Sequence, residues 1–238
     1  MSYTKYNADN MTIELIGESE IAAALGDLKK KTPAVIKSAV NSTARDGRKL
    51  MVKQAKAKYA VNAVGRKHLD QLKLRKKAKV TDLGAELGIG GPSQRSGMKN
   101  DLGYFKDSPS RAFMGLAVYQ APKFFKAKVL KKSSMKKLTG KGNLSKGFLL
   151  TFSSGHVGMV QRVIGSSSKN TITNRGKPRW ANSVGNVEKV RTMGSPSAVA
   201  MHKTVWGDVE PDVEEMLDRR LKESVQKTIA RAAARKAR

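Results

Sequence analysis

A stripe of apolar and small residues from Pro33 to about Tyr59 constrains this chain most: Ile36, Ala39, Val40, Thr43, Ala44, Gly47, Leu50, Met51 and Ala55 recur at steps of three and four. That period predicts one long amphipathic helix with one face turned to a core. The opposite face carries Lys37, Arg45, Arg48, Lys49, Lys53 and Lys56, so it meets solvent or an anion. A second stripe, Val213, Met216, Leu217, Leu221, Val225 and Ile229, predicts another helix from Asp208 to the end. Pro211 is tolerated in its first turn, and the acids from Asp208 to Glu215 precede Arg219, Arg220, Lys222, Lys227, Arg231 and Arg235. Both placements suit the helix dipole.

Shorter elements fill the rest. The first ten residues are polar and predict a loose, flexible N-terminus; Met11–Ile16 alternates like a strand, and Ser19 can cap a short helix bearing Ile21, Ala24, Leu25 and Leu28. Thr32-Pro33 then restarts the helix. Val64–Lys77 predicts a short basic helix with Leu69 and Leu72 inward. Val80, Leu83, Leu87 and Ile89 lead into the loop GGPSQRSGMKNDLG, and Phe113–Tyr119, Phe148–Phe152 and Gly158–Ile164 predict strands. The order predicts an α+β fold: a mostly antiparallel sheet packed by a long N-terminal and a long C-terminal helix, in one domain over 1–238. Residues 122–147 hold nine lysines and no acid, which predicts an insertion ordered by partners. Residues 166–190 predict a polar loop.

The chain has 47 Lys and Arg against 19 Asp and Glu, a formal charge of +28. Such an excess repels itself and calls for an anionic neighbour: nucleic acid, an anionic membrane or an acidic protein. Aromatics are only 5% of the residues, which argues against stacking on single strands and for sequence-blind contact with a phosphate backbone. The candidates for that contact are Lys49, Lys53, Lys56, Arg66, Lys67, Arg75, Lys76, Lys77, Arg231 and Arg235. Phe124, Phe125, Met135 and Trp180 are candidates for subunit interfaces. Without cysteine there are no disulfides or thiolate metal sites. The opening residues lack a basic segment followed by a long apolar run, and no run approaches the roughly 18 residues needed to span a bilayer. No leader, membrane span or membrane partner is expected.

Motifs for chemistry are missing. His68, His156 and His202 stand far apart without acids at metal-ligand spacing, so no metal is expected. The loop GIGGPS lacks the lysine-serine pair of a phosphate-binding loop. Glu14, Glu18, Glu20, Asp27, Asp70, Asp82 and Glu86 form no recognisable acid–base pair, and neither GxSxG nor HExxH occurs. The expectation is a protein that is not an enzyme and uses no cofactor.

Two segments resemble the minor tail protein Z family of lambda-like phages: DLKKKTPAVIKSAVNSTARDGRKLMVKQAKAKYAV at 27–61 and HVGMVQRVIG at 156–165, with Gln161 and Arg162 in the latter as the family motif. SPSAVAM before a charged C-terminal helix is similar in order. The opening IELIGESEIAAALGDL is also similar to the wider tail-completion family, which has an α+β fold. The resemblance implies a virion structural protein, assembled in the host cytoplasm, that completes the head-proximal end of the tail and joins head to tail. Implied partners are further copies of itself in a ring, six by the family's habit, a tail terminator or tail tube, head-connector proteins, and viral double-stranded DNA in the channel. The alternative, motivated by the charge alone, is a sequence-independent nucleic-acid-binding protein.

Overall fold

In a computed structural model, residues 3–7, 10–14, 18–89, 100–108, 126–151, 157–166, 168–169, 186–187 and 189–237 are described. They form an α+β fold in which every described strand pair is antiparallel. The chain divides into two compact units: 1–57, 67–98 and 197–238 make the first, and 58–66 with 99–196 the second.

The first unit holds both long helices. Strand β1 (Tyr3–Asn7) pairs with β2 (Asn10–Glu14), so part of the N-terminus expected to be loose is a strand: cross-strand backbone hydrogen bonds override its polar composition. Helix α1 (Glu18–Leu25) has Glu18 and Glu20 in its first turn, favourable to its dipole. Ser19, expected as the cap, lies inside that turn. Gly26, with φ at +52°, ends the helix in the left-handed region that glycine adopts without a Cβ clash, and a 3-10 turn at Gly26–Lys31 leads into α2 (Thr32–Lys58). At 27 residues α2 is ~40 Å long. It buries Ile36, Ala39, Val40, Thr43, Ala44, Gly47, Met51 and Ala55 as its stripe predicts.

The basic helix expected over Val64–Lys77 is instead two elements, α3 (Ala63–Leu69) and β3 (Leu72–Lys76). Leu72 and Leu74 alternate and pair with Ile89 and Leu87 of β4 (Ala85–Ile89), so the period of two wins after the turn at Asp70-Gln71. Leu69 and Leu72 are both fully buried, as expected. The sheet runs β1-β2-β4-β3, and its buried face holds Met11, Ile13, Leu72, Leu87 and Ile89. Asn41 of α2 pins the chain after β3: its amide donates to the Ala78 carbonyl and accepts from the Ala78 N–H, both at 2.9 Å.

The C-terminal helix, α4 (Ala198–Lys236), starts ten residues before its predicted origin. Ser197 caps it by accepting the Ala200 N–H at 3.1 Å. Met201, Val205, Trp206 and Val209 extend the buried stripe of Val213, Leu217, Leu221 and Val225, and that continuous packing carries the helix through Pro211. Pro211 is therefore internal rather than in the first turn. Its missing N–H leaves the Gly207 carbonyl without its usual partner, and Gly207 is exposed. A Cβ added at Gly47 would lie 3.2 Å from Val213 and 3.9 Å from Ile13, so α2, α4 and β2 meet there with no room to spare.

The second unit is built from short strands. β5 (Asn100–Asp101) leads through a 3-10 turn at Leu102–Tyr104 to β6 (Lys106–Ser108). β7 (Lys126–Lys128) and β8 (Lys136–Lys137) complete a sheet β6-β7-β8. β9 (Phe148–Thr151) and β10 (Val157–Arg162) match two predicted strands. β11 (Ser168–Lys169) pairs with β12 (Asn186–Val187), β13 (Val190–Thr192) with β10, and β14 (Gly194–Ser195) with β5. Phe105, Phe148, Leu149, Met159 and Val160 are among its buried apolar residues. Asn62 organises the start of α3, accepting the Gly65 N–H at 3.0 Å and donating to the Gly103 carbonyl at 2.6 Å. A Cβ at Gly65 would sit 2.3 Å from the Tyr104 carbonyl oxygen, an approach only glycine permits. The strand expected at Phe113–Tyr119 lies outside the described residues.

Candidate polyanion-contacting surface

Most of the predicted contact cations lie in the first unit, and several are answered by acids. Lys49 bonds Asp46 at 2.9 Å and Lys56 bonds Asp70 at 2.6 Å. Lys76 meets Asp82 at 2.5 Å and Glu86 at 4.0 Å. Arg75 donates to the Ile89 carbonyl at 2.7 Å, which ties it to the sheet. The Lys49 ammonium, followed by the Arg220 guanidinium, holds the Asp46 carboxyl below its ordinary range. The Lys76 ammonium and then the Gly84 N–H do the same for Asp82. These bonds brace α2 against α4 and the turn after α3, and β3 against β4 and the turn between them. Lys53, Lys67 and Lys77 are exposed and make no ion pair among the described residues. Arg66, also exposed, belongs to the second unit.

Arg231 joins a place the sequence did not reveal. The first half of α2 and the last turns of α4 flank an open groove of about 500 Å³ that brings together Lys31, Arg220, Lys227 and Arg231, with Ser42 and Glu223. Two of those cations already have carboxylates: Arg220 pairs with Asp46, and Lys227 stands 4.0 Å from Glu223. The second guanidinium nitrogen of Arg220, Nη1, is buried with no acceptor among the described residues. Arg235 is exposed one turn further on.

Of the interface candidates, Phe124, Phe125 and Trp180 lie outside the described residues, and Met135 is half-buried just before β8. Gln161 is buried and donates to the Ser145 carbonyl at 3.0 Å. The Arg162 N–H donates to the Ser145 hydroxyl at 2.8 Å, and the Arg162 carbonyl accepts the Ser145 N–H at 2.9 Å. This pair on β10 fastens the 145 loop.

The feature missed by the contact candidates is the sheet β6-β7-β8. Its registers place Lys106 opposite Lys128, and Ser108 opposite Lys126, which in turn faces Lys137. Residues directly opposite share a sheet face, as do residues two apart, so Lys106, Lys126, Lys128 and Lys137 all project from one side. Asp107 and Ala127 point the other way. Ala127 is buried, and burial pushes the Asp107 carboxyl up to about 6. The sequence signal for this face was the acid-free lysine run of 122–147. It read as an insertion because three short strands leave no periodicity long enough to recognise.

Among the described residues no group of three His, Cys, Asp or Glu side chains is placed to hold a metal ion, and no described helix is long and apolar enough to cross a membrane. His202 is buried in α4, and its Nε2 lies 3.1 Å from the Leu69 carbonyl, a bond in which the ring donates. Burial pulls its pKa down to about 4, so it is a neutral core residue.

Comparison with known proteins finds no match to any protein family, curated protein or solved structure.

Charge divides unevenly between the units. The first has 26 Lys and Arg against 16 acids, while the second has 21 against only Asp101, Asp107 and Glu188. That imbalance cannot be neutralised from within the second unit.

Proposed function

We propose that the protein is a virion structural component that completes the head-proximal end of a phage tail, joins head to tail, and contacts the viral double-stranded DNA that passes there. The observation that carries this reading is the 21-to-3 excess of cations over acids in the second unit, the signature of a surface that works against a polyanion. The resemblance of 27–61 and 156–165 to the minor tail protein Z family supplies the location. Its partners in this reading are further copies in a ring, six by the family's habit, a tail terminator or tail tube, and head-connector proteins. A sequence-independent nucleic-acid-binding protein outside any virion is the second reading, favoured by the same charge.

One experiment separates the two. The purified chain is mixed with tail tubes, and the products are imaged by electron microscopy. Added density at the head-proximal end of the tubes is the expected result. A chain that ignores tubes yet binds duplex DNA contradicts the tail reading and supports the second.

A further inference from the structure

We infer that the lysine face of the β6-β7-β8 sheet is a docking surface for the phosphate backbone of duplex nucleic acid. This deepens the DNA-contact part of the proposed function and rests on that part alone, independent of any place in a tail.

The starting point is electrostatic. Two cross-strand neighbours, Lys106 with Lys128 and Lys126 with Lys137, are like charges placed directly opposite each other. Such pairs destabilise a sheet by themselves. Lys106, Lys126 and Lys137 are exposed and Lys128 is half-buried. Among the described residues no carboxylate pairs with Lys106, Lys126 or Lys128, and the Lys128 ammonium bonds only a neutral group, the Lys131 carbonyl, at 3.1 Å. The single acid of the three strands, Asp107, projects from the opposite face and its raised pKa reflects burial. Contrast the first unit, where Asp46, Asp70 and Asp82 sit against Lys49, Lys56 and Lys76. Lys106, Lys126 and Lys128, without a carboxylate among the described residues, are explained by an external anion that completes their side of the sheet.

The chemistry of the face selects the kind of anion. Lysine ammoniums are point charges with no fixed fork for reading a base edge, and Ser108 adds a hydroxyl on the same side. Phosphate contacts of this kind position a duplex without reading its sequence. The outward positions of the three strands carry no aromatic side chain on which an unpaired base could stack. Nor do they carry the apolar anchors that centre a protein interface, whose composition is depleted in lysine, or that enter a lipid surface. A rigid row of phosphates needs none of these.

The test measures binding of the full chain to a fixed-length random-sequence DNA duplex across a salt series. Each neutralised phosphate contributes about −0.9 to the slope of log K against log salt. The variant Lys106→Gln, Lys126→Gln, Lys128→Gln should therefore lose about 2 to 3 units of slope, whereas Lys49→Gln, Lys56→Gln, whose lysines already face Asp46 and Asp70, should lose much less. Circular dichroism checks that each variant is folded; if the triple variant is not, the single variants Lys106→Gln and Lys126→Gln should each remove about 0.9. An unchanged slope in the folded sheet variants, or an equal loss in the α2 variant, overturns the proposal. So does a wild-type chain that binds anionic phospholipid vesicles or a polyglutamate peptide but not duplex DNA. Failure to find tails in the imaging experiment leaves these readouts untouched.

Discussion

The two units treat the same surplus of basic side chains in opposite ways. In the first, acids are spaced so that cations brace the fold: Lys56 links α2 to Asp70 beyond α3, and Arg220 of α4 reaches Asp46 of α2. In the second, Lys106 faces Lys128 across adjacent strands, and among the described residues no carboxylate pairs with Lys106, Lys126 or Lys128. Lys56 and Arg220 are thus struts, whereas Lys106, Lys126 and Lys128 are unfinished contacts. Composition alone gives the two kinds of lysine the same weight, and only the position of the acids separates them.

The largest effects should come from groups on which the first unit depends. His202 is held neutral by burial, so its contribution is present above the unfolded value of 6.5 and is lost as pH falls toward about 4. Stability should drop by about 3 kcal/mol across that window, read as the urea midpoint of Trp fluorescence, since Trp206 lies one turn from His202 and is buried in the same helix. In His202→Gln that pH-dependence should largely disappear. Next, Asp46→Asn removes the negative charge that faces both Lys49 and Arg220 and one of its two acceptor oxygens, leaving a mostly buried guanidinium without a counter-charge. The expected cost is about 2 kcal/mol at neutral pH, measured by the same unfolding curve. A cost near zero would mean that these ion pairs are ornaments of the first unit rather than braces.

Changes in the second unit should act in the other direction. The Asp107 carboxyl has a raised folded-state pKa, so its contribution is fully present below 3.8 and is lost as pH rises through about 6. Asp107→Asn should therefore stabilise the chain at pH 8, by about 1 kcal/mol once solvent screening of a half-buried group is allowed for, and should make little difference at pH 4. The smallest effect sharpens the contrast most. In the absence of DNA, Lys126→Gln should stabilise by a few tenths of a kcal/mol because it relieves a like-charge pair, while Lys56→Gln should destabilise by a similar few tenths because it removes an exposed ion pair. Equal signs for the two would erase the distinction between the units.

Long elements were legible in the sequence and short ones were not, for a physical reason. Over 27 residues α2 repeats its buried stripe many times, and the apolar positions of α4 from Val213 to Val225 do the same; a period repeated that often leaves one reading. The start of α4 was missed because Pro211 looks like a first-turn proline, although Met201, Val205 and Trp206 carry the stripe through it. Over Leu72–Lys76 five residues give too few repeats to tell period two from 3.6, and pairing with β4 decides. The surface followed the same rule. Exposed cations on the long helices were easy to find, but whether Lys49 or Lys56 has a partner depends on folding. Lys106, Lys126, Lys128 and Lys137 come to one face, with Lys136 on the other, only through registers that join residues about 20 and 10 positions apart, and no local pattern encodes those.

Lys106, Lys126 and Lys128, which have no carboxylate partner among the described residues, should meet a polyanion, and the paired Lys49 and Lys56 should not. Brief acetylation of the intact wild-type chain with and without duplex DNA, followed by mass spectrometry of each lysine, separates the two sets. DNA should slow acetylation of Lys106, Lys126 and Lys128 while Lys49 and Lys56 react at unchanged rates. Protection of Lys49 and Lys56 with the sheet lysines left reactive would contradict this expectation, as would equal protection of both sets.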